Sequence, residues 1–254
     1  MNNPVWTPSQ KQIDRSQMTK FIKYVNLSHH LSLKNYDDLY SWSIQDIPSF
    51  WETVWKFCDV KYSTPYSEIV DDTSKMPGAK WFTGSQLNYA ENLLRFKDSK
   101  PAIIFKGENQ NPSILTYHDL NEEVKKVAYA LRNMGIVKGD RVAGFIPNMP
   151  EAVIAMLASA SIGAIWSSSS PDFGIKGVLD RFAQIEPKVL FAADGYFYNG
   201  KRFNSLEKLE GILKALPSIE NVVIIPRSSC EVYAYQICRA LPQWTPPSQL
   251  GAVR

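Results

Sequence analysis

The chain has 254 residues, of which 44% are hydrophobic and 21% are charged, and it carries a formal net charge of +3. This composition is that of a folded globular protein and excludes wholesale disorder. The mild net charge, made of interspersed signs, gives no reason to predict a nucleic-acid partner. The sequence holds no run of about 18 apolar residues and no signal-peptide core, so we predict no membrane partner and a cytoplasmic location.

The cysteines and the first histidines give no sign of a metal site. Cys58, Cys230 and Cys238 are odd in number and lack paired spacing, so we predict neither a disulfide framework nor a zinc site. His29 and His30 are adjacent, and adjacent side chains diverge on either a helix or a strand. We therefore predict that both histidines are surface or capping residues.

The first part of the chain divides into a polar leader and an aromatic segment. Residues 1–35 contain apolar residues at helical spacing, which predicts one short helix. Residues 36–95 carry three further helices, the second of which Asp46 or Ser49 would cap and the last of which runs from about Tyr89 to Arg95. The second helix has a broad apolar stripe that predicts core packing and a buried thiol. The stripe consists of Phe50, Trp51, Val54, Trp55 and Cys58.

A hairpin and an amphipathic helix come next. Residues 101–105 and 112–117 read as antiparallel strands joined by a short polar loop. The helix that follows repeats its apolar residues with a period of 3.6. Thr116 and Asp119 predict a capping box at its start, and Gly135 is the expected left-handed residue after its end.

From residue 141 to residue 225, strands and helices alternate. This order predicts a mostly parallel sheet flanked by helices, which places the chain in the α/β class. The predicted strands are 141–146, 164–167, 189–192 and 221–225, and the predicted helices are 150–162, 174–185 and 205–216. Residues 231–241 would form at most a brief helix. We therefore expect four parallel strands with an unfinished, exposed hydrophobic edge.

Two segments after predicted parallel strands are candidates for function, because ligands bind at the carboxyl ends of such strands. Residues 165–174, IWSSSSPDFG, form either a functional loop or a structural turn whose Asp172 caps the next helix. No base lies near these serines in sequence, which argues against a catalytic serine. Residues 193–202, ADGYFYNGKR, form either a loop that meets a nucleotide through Tyr198 and Lys201 or a solvated surface loop.

Common catalytic motifs are absent. The sequence contains no Gly-rich dinucleotide or Walker loop, no CxxC or HExxH pattern and no GxSxG motif. His118 stands beside Asp119 at a helix start, where a structural or capping role is expected.

Long stretches of the sequence resemble the acetoacetyl-CoA synthetases, a branch of the adenylate-forming enzymes. The resemblance runs from about residue 36 to Pro226 and is most specific at WFTGSQLNYAENLL, IWSSSSPDFG and YNGK. It implies an incomplete large N-terminal domain of an acyl-CoA synthetase, preceded by a Trp-rich helical cap. The implied divisions are a leader (1–35), an acetyl-CoA synthetase-like N-terminal cap (36–95), the first part of an AMP-binding domain (96–226) and a divergent tail (227–254).

The resemblance implies an acid–thiol ligase that acts in fatty-acid and ketone-body metabolism. In that reaction acetoacetate attacks the α-phosphate of ATP with the help of Mg²⁺, and the thiol of CoA then attacks the acyl-adenylate and releases AMP. In acetyl-CoA synthetases, the segment matching YNGK carries arginines that contact the CoA nucleotide. The resemblance therefore implies a CoA contact for Tyr198, Asn199, Gly200 and Lys201, where Lys201 keeps the positive charge without the guanidinium fork.

The family's phosphate loop, rich in Ser, Thr and Gly and ending in Pro-Lys, has no counterpart before Arg254. We therefore assign no catalytic residue and no metal ligand. The expectation is a truncated acetoacetate–CoA ligase that is inactive alone. The alternative is a non-catalytic module that binds a nucleotide, CoA or a protein partner.

Overall fold

The computed structural model describes residues 5–108 and 110–226 and the backbone of residues 236–239. The chain divides into two compact units, Met1–Leu87 and Asn88–Arg254. Apart from 236–239, the tail that the sequence predicts to be divergent lies outside the described residues. None of the described helices is both long enough and apolar enough to span a membrane.

The first unit is helical, with a small antiparallel sheet of two strands. Side chains cap all four of its described helices: Ser9 forms a capping box with Gln12, Ser16 accepts from the Thr19 amide at 3.1 Å, and Asp46 accepts from the Ser49 amide at 3.2 Å. Asn35 caps the helix between them. The elements are α1 (Gln10–Arg15), α2 (Gln17–His29), α3 (Tyr36–Gln45), α4 (Ile47–Phe57), β1 (Glu68–Val70) and β2 (Trp81–Thr83).

The core of the first unit is smaller than the apolar stripe predicts. Phe21, Val25 and Leu39 are its buried hydrophobic residues, with aromatic rings of α3 and α4 packed around them. On α4 the buried side chain is Thr53, whereas Trp51 remains 45% exposed. The prediction of a buried Cys58 is wrong: the residue follows the last residue of α4, Phe57, and is exposed, because the packing of α4 does not cover it.

The two adjacent histidines take part in local structure. His30 ends α2 in the left-handed conformation with φ of 55°. The Nε2 atom of His29 lies 2.7 Å from the Thr53 hydroxyl, which in turn donates to the Ser49 carbonyl at 2.6 Å. His29 therefore links α2 to α4.

The second unit contains the predicted hairpin and the predicted alternation of strands and helices. Its helices are α5 (Tyr89–Leu93), α6 (Tyr117–Asn133), α7 (Pro150–Ser161), α8 (Ile175–Phe182) and α9 (Leu206–Ala215). Its strands are β3 (Pro101–Phe105), β4 (Ser113–Thr116), β5 (Arg141–Phe145), β6 (Ile165–Ser169), β7 (Val189–Ala193), β8 (Gly195–Tyr198), β9 (Lys201–Asn204), β10 (Asn221–Ile225) and β11 (Gln236–Arg239).

The main sheet confirms the predicted α/β class. Its strand order is β11-β10-β7-β5-β6, and the last four strands in this order are parallel. The four predicted parallel strands are confirmed, and a fifth strand that the sequence does not predict, β11, pairs antiparallel with β10. Residues 236–239 thus form a strand where the sequence predicted part of a brief helix.

Helices cover the two faces of the main sheet, and alternate residues of each strand enter different cores. On one face, Val189 and Phe191 of β7 pack with α6 and α7. On the other face, Leu190 and Ala192 pack with α8 and α9. Every residue of β7 is buried, which identifies it as the central strand of the core.

Several local signals in the second unit are confirmed. Thr116 and Asp119 form the predicted capping box, Gly135 has a φ of 81°, and Pro150 begins α7. The predicted cap by Asp172 is wrong, because the N-cap of α8 is Gly174 and no side chain caps it.

Candidate functional site

The two predicted functional segments, 165–174 and 193–202, lie at the carboxyl edge of the main sheet, where β6 and β7 end. β5 leads through α7 to β6 on one side, and β7 leads through α9 to β10 on the other side. The strand order therefore reverses between β5 and β7, the position at which open α/β sheets bind ligands. The segments after β6 and β7 both start from this edge.

The serine-rich segment is more regular than a loop. Ser167, Ser168 and Ser169 lie within β6, so only residues 170–174 form the connection to α8. The Lys208 ammonium on α9 donates to the Pro171 carbonyl at 2.9 Å. The Arg181 guanidinium on α8 lies 4.4 Å from the centre of the Phe173 ring. Charged side chains from two helices, α8 and α9, therefore contact this connection.

The segment after β7 is a hairpin, where the sequence analysis predicted a loop. β8 and β9 pair antiparallel, and Tyr198 and Lys201 are the last pair before the turn. Asn199 and Gly200 form the turn with φ values of 51° and 72°, the left-handed pair typical of a type I′ turn. The dipeptide Asn-Gly between Tyr198 and Lys201 was the sequence signal for this hairpin.

The hairpin brings together the side chains that the sequence singled out. Tyr198 and Lys201 are directly opposite each other, so their side chains project from the same face of the two strands. Tyr198 is 68% exposed, and Lys201 is also exposed. A ring that can stack on a base therefore stands next to a cation that can meet a phosphate.

A residue that the sequence analysis missed holds the hairpin tip. The Glu108 carboxylate accepts from the Asn199 amide at 3.1 Å and from the Gly200 amide at 2.9 Å. Glu108 lies in the connection between β3 and β4, 91 residues before Asn199 in sequence. No local pattern connects residues that far apart.

The base of the hairpin lies near the connection after β6. Burial, and then the negative charge of Asp172, raise the pKa of Tyr196 above its ordinary value. Tyr196 also stacks on Phe203 across the two strands, with ring centres 5.1 Å apart. The structure thus places Asp172 and Tyr196, one from each candidate segment, within electrostatic reach of each other.

Within residues 5–108 and 110–226, no group of three or more His, Cys, Asp or Glu side chains is arranged to hold a metal ion. We assign none of these residues as a metal ligand.

Comparisons with protein families divide the chain at nearly the same point as the compact units. The model of the AMP-binding enzyme family matches residues 90–249. The model named acetyl-coenzyme A synthetase N-terminus matches residues 36–93.

Several similar proteins are acetoacetyl-CoA synthetases. The acetoacetyl-CoA synthetase of Macaca fascicularis is 46% identical over 87% of this chain and 33% of the relative. That of Rhizobium meliloti is 44% identical over 88% of this chain and 34% of the relative. The solved structure of acetoacetyl-CoA synthetase from Streptomyces lividans superposes with a TM-score of 0.85, at 38% identity, over 91% of this chain and 36% of that chain. The chain thus spans about a third of the length of these relatives. Because the family model covers more than half of its residues, the chain belongs to the AMP-binding enzyme family.

Proposed function

We propose that this chain is part of an acid–thiol ligase that joins acetoacetate to CoA. In the first half-reaction, a carboxylate oxygen of acetoacetate attacks the α-phosphorus of ATP, and pyrophosphate leaves. In the second, the CoA sulfur attacks the acyl carbon of the adenylate, AMP leaves, and the thiol proton is released. The observation that carries the proposal is the superposition on acetoacetyl-CoA synthetase over 91% of the chain, with a TM-score of 0.85.

Within that reaction, we assign the hairpin tip to the recognition of CoA. Lys201 supplies a positive charge for a phosphate, and Tyr198 supplies an exposed ring for the adenine. Lysine contacts a phosphate as a point charge and lacks the paired donors of arginine. Asn199 and Gly200 contribute the turn that sets the two side chains side by side.

We also propose the domain limits that the sequence predicts, with a cap over 36–95 and the first part of an AMP-binding domain over 96–226.

The sequence contains no Ser/Thr/Gly-rich loop ending in Pro-Lys. Because such a loop holds the phosphates of ATP in the resembled family, we expect the 254-residue chain to be inactive alone. An assay of acetoacetate-dependent pyrophosphate release tests this, and turnover at the level of a full-length relative would refute it.

The CoA contact can be tested directly by titration calorimetry. We expect the chain to bind CoA and Lys201→Ala to weaken binding about tenfold, which corresponds to about 1.4 kcal/mol. Lys214→Ala is the matched control, because Lys214 is an exposed lysine in the last turn of α9, away from the carboxyl edge of the sheet. The assignment fails if both variants bind CoA like the unmodified chain.

A second candidate function is a non-catalytic CoA-binding module. It is favoured by the hairpin itself, since its strands, its turn and the anchoring Glu108 all belong to this chain. The two functions predict different activity when the part of a relative that this chain does not match is added to it. A ligase fragment gains activity, whereas a module binds CoA and gains none.

A further inference from the structure

The tip of the β8–β9 hairpin contacts a side chain from a distant part of the second unit. One carboxylate oxygen of Glu108 accepts from the Asn199 amide at 3.1 Å, and the other accepts from the Gly200 amide at 2.9 Å. Hydrogen bonds to an ionised acceptor are about twice as strong as those between neutral groups. The two hydrogen bonds therefore restrain both residues of the turn.

The hairpin depends on this contact because burial does little for it. β8 and β9 form a sheet of their own with two strands, and every residue of β9 is exposed. An isolated hairpin of this kind is marginally stable in water. Its base is tied to the core through the buried Gly195, but its outer end has Glu108 as its anchor.

Glu108 also decides which groups at the tip remain open to an anion. Two adjacent backbone N–H groups that converge on one point form a small anion-binding concavity. Here a carboxylate of the same chain already occupies that position. A phosphate that approaches the tip thus meets the Lys201 side chain, because the turn amides are taken.

From this geometry we infer that Glu108 is a positioning residue for the CoA contact, acting through the turn on Tyr198 and Lys201. The inference rests on the function proposed for the hairpin tip. Glu108 does not touch the ligand. It fixes the orientation of the two side chains that do, and it directs the phosphate to the side chains by filling the position at the turn amides.

The test compares Glu108→Ala and Glu108→Gln with the unmodified chain. Glu220→Ala is the matched control, since Glu220 is an exposed glutamate of the same unit that lies before β10. Backbone amide resonances of Asn199 and Gly200 report the turn, and calorimetry with CoA reports the ligand contact. A cooperative thermal melt of each variant shows whether it is folded.

We expect Glu108→Ala to shift both amide resonances, to speed their hydrogen exchange and to weaken CoA binding about tenfold. Glu108→Gln keeps one acceptor oxygen, so its amide shifts and its CoA affinity should lie between those of the unmodified chain and those of Glu108→Ala. Glu220→Ala should change neither. A purely electrostatic role predicts the opposite sign, because loss of a negative charge would tighten the binding of a phosphate.

The outcomes separate the inference from the function on which it rests. If the unmodified chain binds CoA and a folded Glu108→Ala binds it equally well or more tightly, the positioning role is wrong and the hairpin assignment stands. If the amides of Asn199 and Gly200 do not shift in the variant, the anchoring contact is wrong. If the unmodified chain gives no heat with CoA at millimolar concentration, the hairpin assignment fails and the inference fails with it.

Discussion

Among the described residues of the second unit, Asp140 is the most deeply buried charged residue, and both of its oxygens have partners. It is 7% exposed; one oxygen lies 2.8 Å from the Lys188 ammonium, and the other accepts from the Val137 amide at 3.0 Å. The carboxylate thus joins the turn before β5 to the residue just before β7. This link holds two neighbouring parallel strands at their amino ends.

We predict that Asp140→Asn lowers the free energy of unfolding by about 1–3 kcal/mol, because it leaves the Lys188 ammonium without its carboxylate. Urea unfolding at neutral pH measures the change. Asp180→Asn is the control, since Asp180 is exposed on α8. Equal stability of the two variants would show that the buried carboxylate contributes nothing.

The same residue gives a prediction for acid conditions. The Lys188 ammonium, and then the Val137 amide, lower the pKa of Asp140 below its ordinary value. A carboxyl with a lowered native pKa contributes stability above its unfolded pKa of about 4, and loses it as the pH falls through the native value. The difference in unfolding free energy between the unmodified chain and Asp140→Asn should therefore shrink from pH 6 towards pH 2. A difference that stays constant over this range would contradict the assignment.

Among the elements, the β8–β9 hairpin shows how backbone conformation governs a candidate site. Gly200 has a φ of 72°, and a Cβ added there would have open space around it. Gly174, before α8, has equally open space but a φ of −68°. A residue with a side chain would have to adopt the left-handed conformation at position 200 but not at position 174.

We predict that Gly200→Ala destabilises the hairpin by about 1–2 kcal/mol, because an L residue in the left-handed region is strained. Amide hydrogen exchange in β8 and β9 should become about tenfold faster. Gly174→Ala should leave these rates unchanged. If both variants exchange alike, the turn does not control the hairpin.

A second element-level prediction concerns the close approach of β5 and β6. A Cβ added to Gly144 would lie 2.7 Å from the Trp166 ring on the neighbouring strand, closer than such atoms approach. We expect Gly144→Ala to cost about 1–3 kcal/mol, because the ring has to move within a packed core. In a Trp166→Leu background, the same change should cost less. Equal costs in both backgrounds, measured by urea unfolding, would show that the ring is not the obstacle.

The sequence predicted these elements where their signals are local. The capping box of Thr116 and Asp119, the left-handed Gly135 and the start of α7 at Pro150 all depend on neighbours within a few residues. The predictions failed where distant groups decide. Whether Cys58 is buried depends on how α4 packs, and β11 forms by pairing with β10 from outside its own segment.

The candidate site was predicted in the same uneven way. Tyr198 and Lys201 were identified from their position after a buried strand, and the structure makes them cross-strand partners. The hairpin that does this was signalled by Asn199 and Gly200 and was missed. Glu108 could not be found from the sequence, because its contact with the turn spans 91 residues.

For the whole molecule, the strand order and the length of the chain bear on function. The main sheet has parallel strands and a reversal of strand order, as in sheets that bind ligands at their carboxyl edge. The chain also spans about a third of the length of the acetoacetyl-CoA synthetases that it resembles. We propose that its own residues supply a scaffold and the CoA contact.

The most direct test is a chimera that joins residues 1–226 of this chain to the remaining part of the Streptomyces lividans enzyme. The measurement is formation of acetoacetyl-CoA from acetoacetate, ATP and CoA by a purified chimera that melts cooperatively. The account predicts acetoacetate-dependent product, weakened at limiting CoA by Lys201→Ala. A folded chimera that forms no acetoacetyl-CoA, although its parent enzyme does so under the same conditions, would contradict it.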